Sequence, residues 1–336
     1  MLVRKMPLLA VEAELTQGAQ RVMATVPDSG EGEQIVDERL RLVLLCAHPR
    51  LSREAAAALT LRLVLGVPTE DVARLFLLST PTMAARLTRA RKRLAGASFG
   101  VPSGRELAER VGVVTDVAYL AFTAGYAPGS GAEVLRVEQA GEAIRLVRVL
   151  RAVLPEPDAE VDALLALMLL QHSRRDARVR DGRLVLLPDQ DRALWHTDEI
   201  AEALGLLAPL VQAPPAPYLL QALIASEHAI APSSDETAWE RIVQRYDELL
   251  ALRESPVVRL NRAVAVAEAQ GAEAGLAELE QVALPGHRLP AVRARLLERL
   301  GRDAEAVAAY DAALALCSNG AERVELAARR AGVAAG

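Results

Sequence analysis

Apolar residues recur from residue 37 onward at the three- and four-residue spacing that one face of a helix requires. Between residues 37 and 97 the pattern is interrupted at Pro49, at Gly66 and at the step Ser79-Thr80-Pro81, so it predicts four short helices. Residues that favour helix starts stand before three of them, at Asp37, Ser52 and Thr69.

The last of these helices has two distinct faces. Its apolar residues are spaced i, i+4, i+7 and i+11, which predicts a stripe facing the core, formed by Met83, Leu87, Ala90 and Leu94. A short helix and a tight turn precede it. Residues 69–94 therefore predict a helix-turn-helix, a motif whose second helix enters the major groove of DNA.

The other face of this helix is polar and basic, with five basic residues and no acidic one between positions 86 and 93. Arginine can bond two acceptors on a guanine edge, threonine can contact a base or a phosphate, and basic side chains neutralise phosphates. Hydroxyl groups at the helix start can donate to a phosphate. A basic face is more often a solvated surface, but the preceding helix, turn and apolar stripe favour DNA binding. The predicted DNA-binding residues are Ser79, Thr80, Thr82, Arg86, Arg89, Arg91, Lys92 and Arg93.

Beyond residue 100 the pattern indicates helix after helix. One exception is Val179–Leu187, where Asp-Gly stands between apolar flanks and predicts a small hairpin. Near the C-terminus a helix–Gly–helix plan around Gly271 is repeated around Gly301. The second unit has the small and aromatic residues that are typical of a tetratricopeptide repeat (TPR), at Ala306, Tyr310 and Ala313.

Composition supports an all-α fold, because hydrophobic residues make up 51% of the chain and aromatic residues only 3%. Alanine, leucine, arginine and glutamate favour helices, whereas strands favour aromatic and β-branched residues. We predict an N-terminal helix and linker at 1–36, a helix-turn-helix domain at 37–97, a helical middle region at 98–230 and TPR-like repeats at 231–336.

Charge is divided unevenly along the chain. The net charge of −5 argues against a nucleic-acid binder, but residues 37–97 hold 11 Lys and Arg against 5 Asp and Glu. Residues 98–336 hold 25 Lys and Arg against 34 Asp and Glu. This distribution indicates a basic module joined to an acidic scaffold. Masking of the basic module by the acidic scaffold is physically reasonable.

Several classes of protein are disfavoured. The sequence has no phosphate-binding glycine loop, nucleophile elbow or zinc-protease motif, so we expect no enzyme activity, catalytic residue or cofactor. The two cysteines are too few and too far apart for a disulfide framework or a paired-cysteine zinc site, and we expect no metal. Neither a signal peptide nor a membrane span is apparent, so we expect a cytoplasmic protein without membrane contact.

Other candidate groups favour structural roles. Cys46 and His48 are interpreted as a core cysteine and a helix-end histidine, because two ligands in isolation rarely bind zinc, which prefers four. The segment DQDRALW is interpreted as a structural cap beside a buried Trp195, and the remaining histidines, His196, His228 and His287, are scattered. A solvated, salt-bridged face is the expectation for His172, Arg174, Arg175, Arg178 and Arg180.

Residues 37–97 resemble the second, promoter-binding domain of extracytoplasmic-function (ECF) RNA polymerase sigma factors. The resemblance rests on LTLRLVLGVPTEDVARLFL and TMAARLTRARKRL, and continues through AYLAFTAGY, LLPDQDRALW and SPVVRLNRAVAVA. It implies membership of the group with a long TPR-like C-terminal extension. Such factors begin with another sigma domain, and nothing in residues 1–36 resembles it, so we expect this chain to lack it.

The resemblance implies a sigma-type initiation regulator. Its helix-turn-helix would bind an upstream, minus-thirty-five-type promoter element and dock on RNA polymerase core, while the extension would modulate it through a regulatory protein or ligand. Two alternatives stay open. One is a TPR-like peptide-binding scaffold with no DNA-binding role. The other is a dimeric one-component repressor that reads palindromic sites.

Overall fold

The computed structural model describes residues 38–95, 97, 104–126 and 135–335. The predicted N-terminal helix and linker, and the predicted cap at Asp37, lie outside these residues. Fifteen α-helices run through the described chain, and the predicted all-α class is confirmed. None of the described helices is long and apolar enough to cross a membrane.

The chain divides into two compact units, with the division after Val161. The described helices of the first unit are α1 (Glu38–Cys46), α2 (Arg53–Leu63), α3 (Thr69–Leu75), α4 (Thr80–Leu94), α5 (Gly104–Tyr126) and α6 (Val137–Val153). The long helix α5 packs against α1, α2, α3 and α6. Its buried side chains include Val114, Val117 and Ala118, which are fully shielded from solvent.

Two helix caps predicted in the first unit can be compared with the structure, and one of them is confirmed. Ser52 is the N-cap of α2, and its hydroxyl accepts a hydrogen bond from the backbone N–H of Ala55 at 3.4 Å. The prediction for Thr69 was wrong, because Pro68 occupies the cap position and Thr69 is the first residue of α3. Proline fixes a φ compatible with the cap, so the helix starts without a side-chain cap.

The second unit continues the helical succession to the C-terminus. Its helices are α7 (Ala159–His172, whose first turn belongs to the first unit), α8 (Thr197–Leu207), α9 (Pro217–Ile230), α10 (Trp239–Leu252), α11 (Pro256–Gln270), α12 (Ala272–Leu279), α13 (Arg288–Arg299), α14 (Asp303–Leu316) and α15 (Gly320–Ala335). Consecutive helices from α8 to α15 pack on one another, and α8 also packs on the short 3₁₀ turn that follows it.

The predicted hairpin is present. Strands β1 (Val179–Arg180) and β2 (Arg183–Leu184) pair antiparallel through a two-residue turn. Both turn residues have positive φ, 52° at Asp181 and 72° at Gly182, as a type I′ turn requires. Strand β2 packs against α15.

TPR-like helix pairs form the C-terminal part, as predicted. Helices α11 and α12 are joined at Gly271, and α13 and α14 at Gly301, with positive φ values of 99° and 67°. The residues that indicated the second pair, Ala306, Tyr310 and Ala313, are fully buried. The two alanines have small side chains, which let the helices approach closely.

The division of the structure differs from the predicted limits at residues 97 and 230. Residues 104–126 belong to the first unit because α5 packs against the helices on both sides of the helix-turn-helix. The predicted limits, drawn from resemblance and repeats rather than from packing, stay predictions.

Candidate nucleic-acid interface

Helices α3 and α4 form the predicted helix-turn-helix. Each contributes apolar side chains to one core: Val72 and Ala73 from α3, and the predicted stripe from α4. Met83 and Leu94 in that stripe are at most 1% exposed, and Leu87 and Ala90 at most 4%. Helix α2 packs against α4 as well. The helix is thereby held along one face and leaves its other face to solvent.

The turn between the two helices is tight. The backbone N–H of Leu78 donates to the carbonyl of Ala73 at 2.8 Å, and that of Leu77 donates to Arg74 at 3.0 Å. Leu77 adopts a left-handed conformation with φ of 54°, which is costly for a residue with a Cβ atom. Its side chain is 59% exposed, so the conformation brings no compensating burial.

The start of α4 is capped by Ser79. Its hydroxyl accepts from the backbone N–H of Thr82 at 3.4 Å and lies 2.8 Å from the hydroxyl of that residue. Pro81 stands in the first turn, and no acidic residue is present there. The helix therefore presents exposed hydroxyl groups and a positive dipole end, which together suit an anion such as a phosphate.

The predicted DNA-binding residues lie at the start of α4 and along it, and none of them belongs to the buried stripe. Six of the eight are exposed: Ser79, Thr80, Thr82, Arg89, Lys92 and Arg93. Arg86 and Arg91 are partly buried, on the two flanks between the exposed face and the core. The role of every one of these residues stays a prediction.

The charge on this surface is largely uncompensated. Within the part of the chain that the structure describes, Arg86, Arg89, Lys92 and Arg93 make no ion pair. The guanidinium of Arg89 instead donates from Nε to the carbonyl of Ala85 at 3.3 Å. Several arginines elsewhere in the same unit have carboxylate partners, as in the pair of Arg53 with Asp116. A basic face with free charges can exchange counterions for phosphates.

Two residues of the exposed face were missed by the sequence interpretation. Ala85 and Thr88 stand with Lys92 at i, i+3 and i+7, directly opposite the buried stripe, and all three are exposed. The Thr88 hydroxyl donates to the carbonyl of Ala84 at 2.9 Å, which leaves its oxygen able to accept. The helical period alone places both residues on the exposed face, but neither side chain is basic, whereas Arg86 and Arg89 on the neighbouring flank are.

A buried carboxylate ties the helix-turn-helix to the rest of its unit. Asp71 on α3 is 1% exposed, and its side chain accepts from Arg136 Nη1 at 3.3 Å. Arg136 precedes α6 and also receives support through its own backbone, which donates to the carbonyl of Gly125 at 2.7 Å. The ion pair thus fixes α3 relative to the junction of α5 and α6, and through α3 the orientation of α4.

Cys46 and His48 have structural roles, as expected. Cys46 is partly buried at the end of α1, and burial raises the pKa of its thiol to about 11, against a smaller lowering by its hydrogen bond with Thr60. His48 follows the helix, and its Nδ1 accepts from the backbone N–H of Arg50 at 3.1 Å.

The basic run after α7 is more buried than predicted. His172 is 8% exposed, and Arg175 donates to Glu199 at 2.8 Å and to His196 at 3.0 Å. Burial raises the pKa of Glu199, but hydrogen bonds and charges from His172 and Arg175 lower it more, so the net shift is downward. The expected salt bridging is present, in the pair of Arg175 with Glu199, but the face is less solvated than expected, because His172 is buried, Arg174, Arg175 and Arg178 are half-buried and Arg180 alone of the five is exposed.

The DQDRALW segment forms the predicted cap. Asp191 accepts from the backbone N–H of Ala193 at 2.9 Å, and Trp195 is 6% exposed. The guanidinium of Arg192 stacks over the Trp195 ring at 4.4 Å and donates to two backbone carbonyls near the end of α9, at 2.7 and 2.8 Å. The Arg192 side chain thus links this segment to the C-terminal end of α9.

A relative with a long alignment decides the family. The chain is 42% identical over 305 residues to Uncharacterized protein R00370 of Rhizobium meliloti (strain 1021), covering 88% of this chain and 71% of that protein. The chain belongs to that protein's family.

Two family descriptions match parts of the chain. Residues 41–94 match Sigma-70, region 4, and residues 110–210 match Family of unknown function (DUF6596). A crystallised tetratricopeptide repeat protein from Parabacteroides merdae ATCC 43184 superposes with a TM-score of 0.40 at 10% identity, over 86% of this chain and 98% of that chain.

The protein is therefore sigma-factor-like, with a region 4 domain and a long helical extension. The region 4 match begins within α1 and ends at the last residue of α4, so it contains the helix-turn-helix and the two helices that support it. The eight predicted DNA-binding residues all fall within it.

Proposed function

We propose that this protein is a sigma factor of the ECF type whose α4 helix binds an upstream, minus-thirty-five-type promoter element in the major groove. The observation that carries the proposal is the basic face of α4 within a region 4 domain, on which Arg86, Arg89, Lys92 and Arg93 make no ion pair with a described residue. Arg86, Arg89 and Thr82 would contact bases, and the basic end of the helix would contact phosphates. The first unit would dock on RNA polymerase core, and the protein would work in the cytoplasm without catalysis of its own.

Equilibrium binding to duplex DNA across a range of salt concentrations tests this proposal. Replacing Arg89 and Lys92 with Ala removes two exposed cations without touching the buried stripe. Because Lys92 is assigned to a phosphate and Arg89 to a base, the slope of log K against log salt should become shallower by about 0.9, and loss of the base contact should weaken binding further.

The matched control is Arg105→Ala. Arg105 is exposed at the start of α5, in the same unit, and pairs with Glu109 at 3.2 Å. We expect its slope and affinity to equal those of the unaltered protein. Equal loss in the control would mean that net charge, rather than the α4 face, governs binding, and an unchanged double variant would contradict the assignment.

We also propose that the extension modulates DNA binding. Support comes from charge, since residues 98–336 carry nine more acidic than basic side chains while residues 37–97 carry six more basic than acidic. A test by truncation must respect the packing: a cut at residue 100 would remove α5, which supports α1, α2 and α3. A fragment ending near Val161 keeps the first unit whole. With its helicity verified, tighter DNA binding by the fragment is expected, and unchanged affinity and salt slope would refute masking.

A scaffold function is the second candidate, favoured by a groove in the second unit. The groove has a volume of about 570 Å³ and is bounded by α12, α13 and α14. Charged residues of both signs surround an apolar floor, as a peptide-binding surface needs. They are Glu273, Glu280, Arg293, Arg302 and Glu305, with Leu276 and Leu297 beneath. Absence of any DNA binding by the unaltered protein would favour this function over the first.

A further inference from the structure

Three side chains with metal-binding atoms meet near the C-terminus, although they are up to 35 positions apart in sequence. His287 stands immediately before α13, Cys317 immediately after α14, and Glu322 in the first turn of α15. Their nitrogen, sulfur and oxygen atoms all lie within 4.8 Å of one another. His287 Nε2 and Glu322 Oε2 are 2.7 Å apart, and Cys317 Sγ and the same oxygen are 3.9 Å apart.

We propose that His287, Cys317 and Glu322 bind one zinc-type divalent cation. Imidazole nitrogen, thiolate sulfur and carboxylate oxygen are the three donor types that zinc takes in proteins. Bonds of about 2.0–2.3 Å in a tetrahedron place ligand atoms roughly 3.3–3.7 Å apart. The observed spacings lie on both sides of this range, so small side-chain rotations suffice.

The backbone around the three ligands is held in place. Asn319 Oδ1 accepts from the backbone N–H of Glu322 at 3.0 Å and so caps the start of α15. Arg323 donates to the carbonyl of Cys317 at 3.0 Å. These bonds fix the short loop between Cys317 and Glu322, which leaves the two side chains on the same side as His287.

Cys317 is buried beside the other two side chains. The residue is 4% exposed, and its thiol donates to the carbonyl of Asn319 at 3.5 Å and lies beside Glu322. Burial raises the pKa of the thiol, so a cation must displace its proton on binding. The competing explanation is an ordinary His287–Glu322 ion pair with a buried neutral cysteine nearby.

A cation at this position would join three helices. Helix α14 already packs against α13 and α15. The metal would link all three, through His287 at the start of α13, Cys317 at the end of α14 and Glu322 in the first turn of α15. Three protein ligands leave the fourth tetrahedral position for water or another donor. This proposal does not depend on the proposed DNA-binding function.

Titration of the reduced, metal-free full chain with Co²⁺ and then Zn²⁺ tests the site. Cobalt bound to a thiolate gives a near-ultraviolet charge-transfer absorption, and the chain contains two cysteines, Cys46 and Cys317. We expect one equivalent of cobalt to produce this absorption and zinc to displace it. Cys317→Ser should abolish the absorption, while Cys46→Ser should leave it unchanged.

The other two ligands are tested by affinity. His287→Gln and Glu322→Gln should each weaken zinc binding at least tenfold. Glu325→Gln, one turn along α15 and paired with Arg329 at 2.7 Å, is the matched carboxylate control and should bind as the unaltered chain does. Zinc should also raise the melting temperature of the unaltered chain and the two controls, and not that of Cys317→Ser. No cobalt–thiolate absorption in the unaltered chain, or one that persists in Cys317→Ser, would overturn the proposal.

Discussion

Gly275 allows a sharp test of how closely the TPR-like helices pack. An ideal Cβ added at this position would lie 2.4 Å from the Cβ of Ala267, 3.0 Å from the carbonyl oxygen of Ala263 and 3.1 Å from the Cα of Ala267. Optimal contacts between carbon atoms are about 3.5–4.0 Å. The Gly275→Ala substitution therefore requires α11 and α12 to separate by about 1 Å.

The expected cost follows from this geometry. Two of the obstructing atoms belong to the backbone, so no flexible side chain can move away, and overpacking of this kind costs about 1–3 kcal/mol. Alanine recovers up to about 1 kcal/mol through its higher helix propensity. We expect a net destabilisation of about 1–2 kcal/mol, measured by urea unfolding of the full chain followed by circular dichroism.

Gly205→Ala is the matched control. Gly205 is an exposed helical glycine of the same unit, and nothing lies within 4 Å of an added Cβ. It should stabilise the protein by about 0.5–1 kcal/mol. If Gly275→Ala proves as stable as Gly205→Ala, the close approach of α11 and α12 is wrong.

Three further predictions concern single residues. Burial and two nearby arginines lower the pKa of His228 from 6.5 to about 4, so its contribution to stability is full above pH 6.5 and is lost as pH falls towards 4. In His228→Gln the free energy of unfolding, measured in urea, should therefore fall by up to about 3 kcal/mol less over this pH range than in the unaltered protein. Asp71→Asn should lower the free energy of unfolding by about 2 kcal/mol because Arg136 loses its carboxylate, whereas Glu70→Gln on the exposed side of α3 should change it by less than about 0.5 kcal/mol, and equal effects would refute the role of the ion pair. Leu77→Gly should raise the melting temperature by relieving about 1 kcal/mol of left-handed strain, and a lower melting temperature would show that the exposed leucine side chain contributes more than the strain costs.

Local pattern predicted the features that depend on neighbouring residues in sequence. The stripe from Met83 to Leu94 is buried because residues three and four apart share a helix face. The Asp181-Gly182 turn and the Ser52 cap follow from backbone preferences of those residue types. These signals required no knowledge of tertiary packing.

Tertiary packing decided the remaining features. The ion pair of Asp71 with Arg136 joins residues 65 positions apart. The sequence around either residue does not indicate which residue its partner is. His287 was interpreted as one of several scattered histidines, because only the return of α14 and α15 brings Cys317 and Glu322 beside it. The outward position of Thr88 could have been predicted from the helical period alone.

Selection from randomised duplex DNA, with and without RNA polymerase core, tests the central claim most directly. The account predicts that the unaltered chain enriches one short asymmetric motif, and that the Arg89→Ala/Lys92→Ala variant loses it while Arg105→Ala retains it. Enrichment of a palindrome would indicate a dimeric repressor, and recovery of no motif under any condition would contradict promoter recognition by α4.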